Sequence, residues 1–220
     1  MMMNLFSIFD PISSFGLSLN WLAIMFFILF IPTPFYFVFS SSLIPLFKMI
    51  MLLKKEFYSL TYPNHLGSTM FFISIFILIF FTNFMGLYPF IFTVSSHILM
   101  TLSMSMTIWI TFIMSSLITK PNHFMAHLVP QGTPMFLSIF MVMIETISNL
   151  IRPITLAVRL AANMIAGHLL ISLVSNIASF NMKNSMISIL LQSMLILLES
   201  AVALIQAFVF SILSLLYSIE

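Results

Sequence analysis

From Met135 to Ala178 the chain runs for more than forty positions with hardly a break in hydrophobicity. At 1.5 Å per residue, a helix of that length is roughly twice what is needed to cross about 30 Å of hydrocarbon. The run is continuously apolar rather than alternating, which favours a membrane helix over a barrel strand. It is either strongly tilted or broken, and Pro153 is the natural place for a break. A second over-long apolar run, 186–218, follows the short connection SFNMKNS. The last third of the chain therefore reads as a hairpin of two long membrane helices, tilted where Pro153 does not break the first.

Composition agrees with this reading. Only 5% of the 220 residues are charged and 61% are hydrophobic, whereas soluble domains carry about 25% charged residues. The fold class expected is an all-α polytopic membrane protein. A net charge of +2 is too small for a nucleic-acid surface. Without cysteine there is neither a disulfide nor a thiolate metal site. No Gly-rich phosphate loop or Walker pattern occurs, so no nucleotide or other cofactor is expected. The 26 Phe and 20 Met fit AT-rich coding, as in an organelle genome. The start, MMMNLFSIFDP, lacks a basic region and a small-residue cleavage site, so no cleavable signal peptide is expected.

Ahead of the hairpin, three upright spans are expected at 17–38, 69–88 and 98–118. Asp10-Pro11 marks a turn before the first, Trp21 suits an interfacial position, and Pro32 and Pro34 kink or end that span late. Residues 39–60 place Lys48, Lys54, Lys55 and Glu56 among large apolar side chains. This reads as an amphipathic helix lying on the membrane surface, the alternative being a juxtamembrane basic loop. Residues 89–97 make an uncharged turn, and PNHFMAHLVPQGTP (121–134) reads as a loop by its Pro and Gly content. The whole is expected to be a single membrane domain, 1–220, with spans and surface helix in 1–134 and the hairpin in 135–220. Lys48, Lys54, Lys55 and Lys120 should share the cytoplasmic or matrix side, which puts the N-terminus opposite and the C-terminus with the lysines. Lys183 is a minor exception.

The hairpin carries the polar residues that need explaining. Arginine stays protonated in any protein environment, and at a bilayer centre it costs roughly 2.5–3.5 kcal/mol on insertion scales. Glu145, Arg152 and Arg159 are seven residues apart in turn and share one helix stripe, with Asn163 one turn further on. Ala157, Ala161, Ala162, Ala166 and Gly167 surround Arg159 with small side chains that admit a neighbouring helix. His168 points to roughly the opposite side from Arg159. On the second arm Glu199 and Gln206 are again seven apart, among Ala201, Ala203 and Ala207. Carboxylates, imidazole and carboxamides on adjacent membrane helices are what a proton pathway requires.

Plainer readings stand beside this one. Arg152 and Glu145 make a structural ion pair, and Glu199 could serve only to neutralise Arg159. His168 alone is as readily a hydrogen-bonded core histidine, and Asn163 and Gln206 interhelical glue. His123 and His127 have the i, i+4 spacing of a metal pair, but prolines flank them, and no metal site is expected there. His65 and His97 read as interfacial loop residues. A secondary ion transporter would show repeat symmetry, which is not found. A haem-bearing subunit of a respiratory complex would need His pairs on facing spans, and only His168 lies well inside one.

The motifs HLVPQGTP (127–134), IRPITLAVRLAANMIAGHLL (151–170) and ESAVALIQAFVFSIL (199–213), with FSIFDP and NFMGLYPF, resemble those of subunit a of F-type ATP synthases, most closely the mitochondrial form. The resemblance covers essentially the whole chain. It implies a proton-conducting stator beside a rotating ring of c subunits, with two offset aqueous half-channels leading to the ring. Arg159 matches the family's essential arginine and Asn163 the polar residue after it. Glu145, His168, Glu199 and Gln206 match positions lining the half-channels. Bacterial members tend to carry Glu where this chain has His168, and His where it has Glu199. The resemblance further implies a multi-pass protein of the mitochondrial inner membrane, with the N-terminus towards the intermembrane space and the C-terminus towards the matrix. Partners implied are the c-ring, other stator subunits, the lipid bilayer and protons. The family suggests His168 and Glu199 for the intermembrane-space side and Glu145 for the matrix side.

Overall fold

The computed structural model describes residues 5–12, 16–25, 41, 43–61, 67–88, 91–119, 121–129, 134–178 and 182–219. Its helices are α1 (Leu43–Thr61), α2 (Ser68–Gly86), α3 (Ile98–Thr119), α4 (Pro121–His127), α5 (Met135–Ala178) and α6 (Met182–Ile219), with short 3-10 turns at Leu5–Phe9, Leu19–Leu22 and Val94–Ser96. No strand occurs among the described residues. Among the described residues four helices are long and apolar enough to cross a membrane: α2, α3, α5 and α6. The chain is an all-helical polytopic membrane protein. Most of the expected first span, 17–38, lies outside the described residues, which there stop at Met25.

The chain divides into two compact units, residues 1–97 with 161–220, and residues 98–160. In the first unit α2 is the central helix. Phe72, Ile73, Phe76, Ile79 and Asn83 recur every three or four residues and are buried, mainly against α6. Phe76, Phe80 and Phe84 stack along α2 at centroid separations of 6.0 and 5.8 Å. Helix α1 buries one narrow stripe, Leu53, Phe57 and Thr61, and leaves Ile44, Phe47, Met51 and Leu52 exposed. Phe57 stacks on Phe208 of α6 at 6.5 Å. Lys48, Lys55 and Glu56 are also exposed. A single buried stripe with charges elsewhere is an amphipathic pattern. The turn after α2 holds itself together: Ser96 Oγ donates to the Thr93 carbonyl (2.7 Å) and Thr93 Oγ1 donates to Ser96 Oγ (3.0 Å).

In the second unit α3 packs against α4. Residues 121–127 form a helix where Pro and Gly content had suggested a loop. Pro121 stands at the first helical position, where its missing N–H costs nothing, and the breakers Pro130 and Gly132 come only after the helix.

Helix α5 begins in the second unit and ends in the first. Its 44 residues are one helix through Pro153, so the chain does not break there. Proline removes one backbone donor and clashes with the carbonyl four residues earlier. Flanking turns on both sides are long enough to carry the helix through. At 1.5 Å per residue α5 is about 66 Å long and the 38-residue α6 about 57 Å, both far beyond an upright span.

Candidate functional site

In the first unit the end of α5 and the helix α6 are antiparallel, and their polar residues meet. Asn163 Nδ2 donates to Gln206 Oε1 at 3.1 Å. Five residues further along α5, His168 Nε2 lies 3.8 Å from Glu199 Oε1, seven residues back along α6. Both contacts therefore lie along one seam. Ala161, Ala203 and Ala207 are buried, so small side chains lie on both helices near it, with Met164 buried as well. Glu199 is 4% exposed and Gln206 6%. Neither Glu199 carboxylate oxygen has a hydrogen-bond partner among the described residues, and 3.8 Å is too long for one to His168. An ionisable pair held close but not locked by hydrogen bonds is free to exchange a proton after a small side-chain rotation.

Gly167 explains how a carboxyl fits between two close helices. A Cβ at this position would collide with the Glu199 carboxyl group. The pattern of small residues marked Gly167 as a place where a helix approaches. The specific partner, a carboxylate thirty-two residues away, needs the register of the two helices.

His168 also forms part of the wall of an open cavity of about 720 Å³. Asp10, Asn20, Tyr88, Ser172, Ser175 and Gln192 supply other polar groups to that wall. Phe9 places its ring edge-on against His168, with centroids 6.4 Å apart. The sequence had suggested only a turn in this N-terminal stretch.

In the second unit Glu145 and Arg152, one heptad apart on α5, approach to 3.9 Å with side chains about one-third exposed. Glu145 is the sole acidic residue between 98 and 160. Arg159 is exposed, and no carboxylate of its own unit is within ion-pair distance among the described residues. The site residues thus fall into two groups: Asn163, His168, Glu199 and Gln206 in one unit, Glu145 with Arg152 and, separately, Arg159 in the other.

Residues 17–218 match the family model described as "ATP synthase A chain". Over 223 residues the chain is 52% identical to ATP synthase subunit a of Drosophila simulans, covering 100% of this chain and 99% of that protein. The chain belongs to the ATP synthase A chain family. Other members of the family share its full length: the subunit of Locusta migratoria is 52% identical over 223 residues, and that of Aedes aegypti 50% over 224. Membership in the family thus rests on similarity along the whole chain as well as on its short motifs.

Proposed function

We propose that this chain is the proton-translocating stator subunit of the membrane sector of a mitochondrial ATP synthase, facing a ring of c subunits. The observation that carries the reading is the His168–Glu199 couple, whose histidine lines a cavity while its carboxylate is buried behind it. Protons enter through the cavity, pass His168 and Glu199, and reach the ring past Gln206 and Asn163. Each ring carboxyl stays neutral against lipid and ionises near Arg159, because a fixed cation favours the anion. The released proton leaves by a second half-channel in which Glu145 takes part. Arg159 blocks direct passage between the two. A potential of 100 mV supplies about 2.3 kcal/mol for each proton that crosses.

The protein is a multi-pass component of the inner membrane, with the N-terminus in the intermembrane space and the C-terminus in the matrix. The distribution of Lys48, Lys54, Lys55 and Lys120 supports this orientation. An N-terminal tag tests function and orientation together. Purification through it in mild detergent should bring down a c-ring and other stator subunits. In intact mitoplasts an external protease should remove the tag. Isolation without a ring would point to a free-standing transporter, and protection of the tag would reverse the orientation.

Gly167 offers a further check. In Gly167→Ala the new methyl pushes the Glu199 carboxyl away from its place beside His168. A displacement of about 1 Å at a reacting group can cost up to a hundredfold in rate. Proton-driven ATP synthesis should fall about tenfold or more with the complex still assembled. An unaffected rate would mean that the position of the Glu199 carboxyl is immaterial.

A further inference from the structure

The N-terminal segment is folded onto the cavity rather than trailing from it. Phe9 closes the 3-10 turn Leu5–Phe9 and packs edge-on against His168. The next residue, Asp10, lies on the cavity wall. Two hydrogen bonds hold its backbone: the Asp10 N–H donates to the Ser7 carbonyl (3.4 Å), and Asn20 Nδ2 donates to the Asp10 carbonyl (3.1 Å). Gly16 adopts a positive φ of 73°, which a side chain would resist, and helps bring Asn20 back to Asp10. Trp21 then packs on Phe92 and His97 at 5.7 and 5.2 Å, tying this strap to the turn after α2. The Asp10 backbone is therefore held in place while the residue remains exposed.

The charges around it are few. Among the described residues the titratable groups on the cavity wall are Asp10, Tyr88 and His168, and no Lys or Arg lines it. His97 stands behind Phe92, and Glu199 stands beyond His168. The nearest basic residue along α6 is Lys183, nine residues before the wall residue Gln192. We infer that Asp10, anchored through its backbone on the wall of this cavity, is a proton-gathering carboxylate that raises the local proton concentration ahead of His168. The inference rests on the proposed role of the cavity as the entry half-channel.

At about 6–10 Å in water, a single carboxylate enriches a monovalent cation about two- to threefold at low salt. Removing it shifts the proton concentration required, not the maximal rate. The test uses the intact enzyme in vesicles, with ATP synthesis measured against pH on the entry side. Asp10→Asn should move the half-maximal pH down by about 0.3–0.5 units at low ionic strength. At about 1 M salt, where the screening length is about 3 Å, the two profiles should merge. Asp10→Glu should restore the low-salt profile. A wild-type profile for Asp10→Asn would overturn the inference. So would a loss that neither salt nor Asp10→Glu alters, since that would mark Asp10 as a structural residue. His168→Leu in the same assay tests the cavity itself: normal flux there would remove the entry-channel reading, whatever Asp10 does.

Discussion

Arg159→Ala should abolish coupled ATP synthesis, by a hundredfold or more, in membranes that contain normal amounts of assembled enzyme. The size follows from the loss of a preorganised charge at the place where an anion forms, which typically costs about 10²–10³ in rate. Assembly should survive for a reason visible in the structure. Within its own unit Arg159 has no carboxylate partner among the described residues, so its removal there strands no buried anion. Alanine also lies more easily in a bilayer than arginine, by roughly 2.5–3.5 kcal/mol on insertion scales. Passive proton flux through the assembled complex should rise, because the barrier between the half-channels is gone. Arg159→Lys keeps the charge but loses the planar fork and changes its hydration and reach, and coupled synthesis should fail there too. Arg152→Lys, one heptad earlier, is the control. In that variant Glu145, 3.9 Å from the Arg152 side chain, still faces a cation. That variant should stay within about fivefold of the wild type. Normal coupled synthesis in Arg159→Ala would end the proposed mechanism.

Glu199→Leu is expected to have the next largest effect, about a hundredfold or more on proton-driven synthesis. Positioned acid–base groups contribute typically about 10²–10⁴. The substitution discriminates well because its expected structural cost is small. Leucine keeps a side chain of similar size at this position, and because the Glu199 carboxylate makes no hydrogen bond among the described residues, its replacement leaves no hydrogen-bond partner stranded. A structural Glu199 therefore predicts an assembled and active enzyme, whereas a proton-carrying one predicts an assembled and slow enzyme. His168→Leu should slow synthesis similarly. The double variant should be little worse than either single one, because the two groups act as one unit at 3.8 Å. An unchanged rate and pH profile in Glu199→Leu would return it to a structural role.

Much of the fold was legible in the chain because a bilayer leaves the backbone few choices. Without water, every N–H and C=O in hydrocarbon must be satisfied within the segment, so an apolar run long enough to span becomes a helix. The run from Met135 to Ala178 became one helix over that same range, and the run expected at 98–118 became Ile98–Thr119. The heptad spacing of Glu145 and Arg152 likewise carried over directly, since neighbours on one helix are set by 3.6 residues per turn. Pro153 shows where a local rule falls short: whether one lost hydrogen bond breaks a helix depends on the flanking turns and their surroundings.

What lay beyond the chain's local patterns is the register between segments far apart in sequence. Sequence spacing put His168 on one arm and Glu199 on the other, but not that they meet at 3.8 Å, nor that Gly167 leaves the space the carboxyl occupies. Those facts depend on how far one long helix slides along the other, which the periodicity of neither helix sets. The N-terminal strap is the clearest case. Residues 5–10 have no hydrophobic period of their own, and their place against His168 comes from contacts made by Phe9, Asn20 and Trp21 with distant parts of the chain.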